Sequence, residues 1–199
     1  RQTLLQNQNL LPNAGIVPSL LAQQGASTSK FDEDLFLAKL NARISDEHEL
    51  EATLRVRRET DLVPENKLLS LPGNDVARDN DEDRFDIKHT WTTDNFVNEA
   101  RIGYEKYTWN PHSSATEPYI KYLISPTNTT NNVKDVLIAG GSPNAQFRQQ
   151  KGLLFQDDLT YTGLDRHTIK GGFKIKRMEY NLSGTANSVD MYERLVGNV

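Results

Sequence analysis

The residues best able to do chemistry in this chain are its histidines and carboxylates, so their spacing comes first. The four histidines are His48, His89, His112 and His167. They lie far apart, and none has the His-x-x-x-His spacing that would set two imidazoles on one helical face for a metal. His48 and His167 follow short turns and read as solvated side chains. The acidic run 79–86 starts like a calcium loop, with Asp79, Asp81 and Asp83 at the first ligand positions. It then has Arg84 where such a loop needs glycine and Thr90 where it needs a bidentate glutamate. It therefore reads as a solvated acidic loop. Gly140-Gly141 and Gly171-Gly172 lack the following Lys-Ser/Thr of a phosphate loop. Gly171 and Gly172 read instead as residues that ease strand curvature. There is no Gly-x-Ser-x-Gly elbow, and no spacing of Ser, His and Asp suggests a triad. The glycosylation sequons at Asn128 and Asn181 read as chance matches. The expectation is a protein that is not an enzyme, with no catalytic residue, no cofactor and no metal centre.

Composition bounds the remaining classes. The chain has 199 residues, 23 Lys plus Arg against 27 Asp plus Glu, 36% hydrophobic residues and no cysteine. Without cysteine there is no disulfide scaffold and no thiolate metal site. The acidic balance argues against a nucleic-acid partner, which calls for a basic footprint. No apolar run is long enough for a membrane helix. The chain starts at Arg1 without the pattern of a signal peptide and ends in polar sequence. It reads as an internal piece of a longer protein, with 1–33 a truncated loop. Two short helices are expected, at 18–25 and at 188–196, the first from Pro18 and Gly25 at its ends.

The elements that would position any site are strands. At 35–45, Phe36, Ala38, Leu40, Ala42 and Ile44 alternate with Lys39, Asn41 and Arg43. At 48–61, Leu50, Ala52, Leu54 and Val56 alternate with Glu51, Thr53, Arg55 and Arg57. A period of two is a strand pattern, and Ser45-Asp46-Glu47 between them is a hairpin turn. The same design recurs at 85–109, around Thr93-Asp94-Asn95, and at 153–180, around Gly163-Leu164-Asp165-Arg166. One residue strains it: Asp157 falls on the side of Leu153, Phe155, Leu159 and Tyr161. Either a bulge shifts the register there or the face assignment of that strand fails. The hairpins at 35–61, 85–109 and 153–180 are separated by polar stretches at 62–84 and 110–151, which read as long loops.

Short turns at one end and long loops at the other are the layout of a transmembrane β-barrel, whose strands alternate lipid-facing apolar and lumen-facing polar residues. Trp91, Phe96 and Tyr161 lie beside the short turns, and Tyr104, Tyr107, Trp109 and Tyr180 at the opposite strand ends. They read as two interfacial aromatic belts. The fold expected is all-β: an antiparallel up-and-down meander of about six strands with no parallel pair, part of a larger barrel. The competing reading is a soluble all-β binding or adhesion module whose polar face meets water. Strand length separates the two, because a tilted spanning strand needs about 9–11 residues.

The strand at 98–107, Asn-Glu-Ala-Arg-Ile-Gly-Tyr-Glu-Lys-Tyr, and the turn and strand at 163–172, Gly-Leu-Asp-Arg-His-Thr-Ile-Lys-Gly-Gly, carry a further likeness. With their surroundings from 31 to 186, they resemble the barrel of TonB-dependent outer-membrane receptors, in particular the Oar-like group. That resemblance implies a larger barrel around a plug domain, in the outer membrane and in contact with its lipid. It also implies uptake of a nutrient ligand, of siderophore, carbohydrate or peptide class, driven by the energy-transducing TonB protein. Plug and TonB contacts would be made by parts outside this chain.

Overall fold

The structure, a computed structural model, describes residues 28–64, 70–125, 133–185 and 189–198. The helix expected at 18–25 lies outside them. The strands are β1 (Phe31–Arg43), β2 (His48–Val63), β3 (Val76–Thr92), β4 (Phe96–Ser113), β5 (Tyr119–Ser125), β6 (Lys134–Ala139), β7 (Ala145–Leu164), β8 (His167–Thr185) and β9 (Met191–Asn198). Six form one sheet in the order β1-β2-β3-β4-β7-β8, with every neighbouring pair antiparallel. β1 and β8 are its edges, so the barrel is unclosed.

The tight turns form because hydroxyls replace ladder partners. Ser45 Oγ accepts from the Glu47 and His48 amides at 3.3 and 3.2 Å. Thr93 Oγ1 accepts from the Asn95 and Phe96 amides at 3.3 and 3.2 Å. This is the local capping that Ser and Thr offer at turns. The β7–β8 turn places Arg166 at φ 63, in the left-handed region.

The strands run further than the alternation indicated. β3 has 17 residues, β4 18, β7 20 and β8 19. The stretch 62–84 is therefore only partly loop, and the acidic run 79–86 is a ladder-forming part of β3 rather than a solvated loop. The stretch 110–151 is likewise not one loop. It contains the end of β4, the start of β7, and both β5 and β6.

Those two strands join β9 in a three-stranded sheet, order β6-β5-β9. β5 pairs with β9 in parallel, through Tyr119–Met191 to Leu123–Leu195, which overturns the expectation of no parallel pair. It also replaces the helix expected at 188–196 with a strand. Pairing to β5 supplies a partner that local propensity does not foresee. The buried apolar side chains gather here: Leu71, Val76, Tyr119, Tyr122, Leu123, Leu137, Ile138 and Ala139. The sheet is tied to the larger one by polar contacts. Asn74 Nδ2 donates to the Gly141 carbonyl at 3.2 Å, and the Ser142 amide donates to Ser113 Oγ at 2.8 Å. Gly140, at φ 83, turns the chain after β6 against the Pro118 carbonyl, where no side chain fits.

Candidate functional site: the two faces of the larger sheet

Directly opposed residues in an antiparallel pair share a face, so the registers sort the side chains. One row runs Leu40–Ala52–Ile87–Ile102–Phe155–Ile175 across all six strands. The next runs Ala38–Leu54–Phe85–Tyr104–Leu153–Arg177. Phe36, Leu40, Leu50, Leu54, Ile102, Phe173 and Ile175 thus share one face, as their alternation required. Ile44 follows in the turn, where its amide donates to the His48 carbonyl at 2.9 Å. This face is open: Leu40 is 69% exposed, Ile102 58% and Ile175 62%.

The apolar band is oblique to the ladder rows. At its upper limit it reaches Val56 on β2 but only Phe85 on β3, Tyr104 on β4 and Ile175 on β8, stepping down the strands. At its lower limit it ends near His48 on β2 and at Phe96, Tyr161 and Ile169 on β4, β7 and β8. Tilted strands cut by a flat membrane give such a stagger.

The opposite face is ionic. Glu51 meets Lys39 at 2.9 Å and Lys88 at 3.9 Å. Arg101 meets Asp86 at 2.8 Å, and Lys176 meets Glu105 at 2.8 Å. Arg57 bonds Glu33 at 2.9 Å and also Glu59, which takes the Asn80 amide at 2.5 Å. Glu82 is flanked by Arg55 and Arg84. Glu59 and Glu82 are both buried although, among the described residues, no second layer covers them. Their neighbours on the same face crowd over them, as on the inside of a curve. Gly103 belongs to that face: a Cβ there would stand 2.7 Å from the Asp86 carboxylate.

A charged concave face and an oblique exposed apolar band define a membrane β-barrel wall, with a polar lumen on one side and lipid on the other. The chain belongs to the family described as outer membrane beta barrel domain, whose model matches residues 2–194. Its place is the outer membrane. No curated protein matches the chain significantly. In such barrels the short turns face the periplasm and the long connections the outside.

The aromatic residues divide by parity. Trp91, Phe96, Tyr161 and Tyr104 lie on the lipid face. Trp91 stacks edge-on against Phe96 at 4.7 Å, and Phe96 stands opposite Tyr161. Tyr107, Trp109 and Tyr180, expected on the same face as Tyr104, lie on the opposite one. Tyr107 lies in the row Glu82–Tyr107–Gln150–Tyr180, and Trp109 in the row Asn80–Trp109–Arg148–Leu182. Both rows are inward-facing. The even-odd step from Tyr104 to Tyr107 already carried this information.

Together those three line the outer end of the lumen. The Arg148 guanidinium lies 4.9 Å over the Trp109 ring and donates to Gln146 Oε1 at 2.9 Å. A cavity of about 470 Å³ is bounded by Val76, Arg78, Trp109, Pro111, Asn144 and Gln146. A second, of about 430 Å³, shares Asn144 and Gln146 with it and adds Arg148 and Leu182. Arg78 is neutralised by Asp61 through a bond of 2.7 Å. Among the described residues, no carboxylate pairs with Arg148, whereas Arg55, Arg57, Arg78, Arg84 and Arg101 on the same face each have one. Stacking faces, side-chain amides and a guanidinium not neutralised by a described carboxylate can hold a polar ligand by ring contact and hydrogen bonding. Sequence reading missed Arg148, Asn144 and Gln146 because the stretch was taken for loop.

Two further groupings were hidden in the sequence. His48 and His89 come together, Nδ1 to Nε2 at 3.0 Å, with stacked rings and Trp91 beside His48. His48 is thus half-buried rather than solvated. Asp157 does face outward: the β4–β7 and β7–β8 registers pass through it unbroken, and β7 shifts only between Tyr161 and Leu164. Neither a bulge nor a misassigned face explains it. Its carboxylate accepts from Asn98 Nδ2 at 2.6 Å.

Proposed function

We propose that this wall belongs to a TonB-dependent receptor that takes up a nutrient ligand by binding and passage, without covalent chemistry. The observation that carries the reading is the inward cluster of Tyr107, Trp109, Arg148 and Tyr180 at the outer end of the lumen, above a strongly ionic wall. A general diffusion pore needs the charged wall but no stacking platform; a receptor needs a place where ligand stops before passage. The strand and turn patterns at 98–107 and 163–172 support the same reading. A plug domain and the TonB protein are the partners it requires. The soluble binding-module alternative would need a second layer over the apolar face, and the described residues provide none.

The test is uptake. A strain deleted for the full-length gene should lose accumulation of at least one compound in a nutrient panel of siderophores, oligosaccharides and peptides. A strain deleted for the energy transducer should lose the same compound, and Trp109→Ala should weaken its uptake while leaving membrane insertion intact. Uptake that survives removal of the transducer would reduce the protein to a passive barrel.

A further inference from the structure

Arg148, on the inward face, is held in a fixed attitude. Its guanidinium lies 4.9 Å over the Trp109 ring, and one edge donates to Gln146 Oε1 at 2.9 Å. A guanidinium pinned by its flat face and one edge presents its remaining N–H donors as a rigid fork, the shape that matches a carboxylate. The inward carboxylates at this end of the wall are engaged elsewhere. Asp61 accepts from Arg78 through bonds of 2.7 and 2.5 Å, and Glu59 takes Arg57 and the Asn80 amide. Among the described residues no carboxylate pairs with Arg148, which leaves its second edge for an anionic group of a ligand.

The two cavities that meet here differ in lining, and the difference selects the ligand. The one of about 430 Å³ holds Arg148 with Asn144 and Gln146. The adjoining one, of about 470 Å³, shares those two amides and is walled by Val63, Pro64, Val76 and Pro111, with Arg78 already neutralised by Asp61. Walls of valine and proline offer nothing to sugar hydroxyls, which need hydrogen-bond partners, and suit an apolar side chain. The shared amides each carry a donor and an acceptor, as a peptide backbone does. We propose that this site, resting on the receptor reading above, captures the free carboxyl terminus of a peptide whose last residue is apolar. The terminal carboxylate takes the Arg148 fork, the last side chain enters the recess of Val63, Val76 and Pro111, and the preceding peptide group meets Asn144 and Gln146. Such a site recognises only the end of the peptide and admits many sequences.

The experiment offers the full-length protein, in nanodiscs, a pool of random pentapeptides made both with a free carboxyl terminus and as the terminal amide. Retained peptides are identified by mass spectrometry. Free-carboxyl peptides ending in leucine, valine, isoleucine, phenylalanine or methionine should be retained. Their amides should be retained roughly tenfold less or weaker still, the loss of one charge-assisted pair. Arg148→Gln should abolish the preference for a free carboxyl. Val63→Ser should keep that preference and relax the one for an apolar last residue. Lys174→Gln, lower on the inward wall, should behave as the wild type. Heat-modifiable gel migration checks that each variant is folded, and two different losses of selectivity cannot both come from misfolding. Equal retention of amides and free acids, retention of no peptide, or an unchanged carboxyl preference in Arg148→Gln overturns the proposal. Binding in nanodiscs needs no energy transducer. Failure here beside transducer-dependent uptake of another compound would remove the peptide and leave the receptor reading, and peptide retention beside transducer-independent uptake would do the reverse.

Discussion

Asn98 and Asp157 form a hydrogen bond of 2.6 Å on the outward face of the sheet, midway along the apolar segment of β7. Asp157 stands opposite Ala100 on one side and Phe173 on the other, with Phe155 and Leu159 before and after it on the same face. A carboxyl group there needs a donor, because hydrocarbon offers none. Asn98 reaches it diagonally from the neighbouring strand.

Removing that donor should therefore cost more than removing the pair. Asn98→Ala in the full-length barrel is expected to destabilise it by about 1–3 kcal/mol, the cost of an unsatisfied buried acceptor. The double variant Asn98→Ala, Asp157→Ala should recover most of the loss. Urea unfolding in lipid vesicles measures both, and strict additivity of the two single changes would show that the bond is not coupled.

Leu54 and Thr53 test the face assignment. Leu54→Arg points a charge into lipid and should cost roughly 2–4 kcal/mol if the position is near the midplane. Thr53→Arg points it into the lumen, opposite Asp86, and should cost clearly less. Equal penalties in the same unfolding assay would contradict the division of faces.

Gly103 lies under the Asp86 carboxylate, which in turn holds Arg101 at 2.8 Å. Gly103→Val must displace Asp86 and with it the ion pair. The expected loss is about 1–3 kcal/mol, the usual range for an overpacked site. Gly171 faces lipid with nothing within 4 Å of an added Cβ, so Gly171→Val should be tolerated or mildly stabilising. Parallel melts of the two variants would expose any reversal of that order.

The isolated 199-residue chain should not behave as a monodisperse soluble monomer. Among the described residues β1 and β8 leave unpaired ladder edges, which template association, and the apolar face is exposed across the six strands, a contiguous patch of the kind that drives association in water. Size-exclusion chromatography without detergent should show aggregates. A sharp monomer peak with a cooperative melt would point to a self-contained β domain instead.

Alternation along the chain determined which side chains share a face within each hairpin, because side-chain direction in a strand is a local property with a period of two. It sufficed to place Phe36, Leu40, Leu54, Ile102 and Ile175 together, and to set Lys39, Arg55 and Lys174 against them. The same parity carried Trp109 and Tyr180 to the lumen, although their nearness to the strand ends suggested a membrane belt. Pairing across long connections is different, because it depends on which distant segments meet. The up-and-down meander already set β7 beside β4; only the tertiary structure fixed their register, and with it brought Asp157 to Asn98, Lys151 to Lys106 and Arg148 to Trp109. It also paired β5 with β9 in parallel, since the parallel partner of a short strand is fixed by how the chain returns and not by the residues of the strand itself.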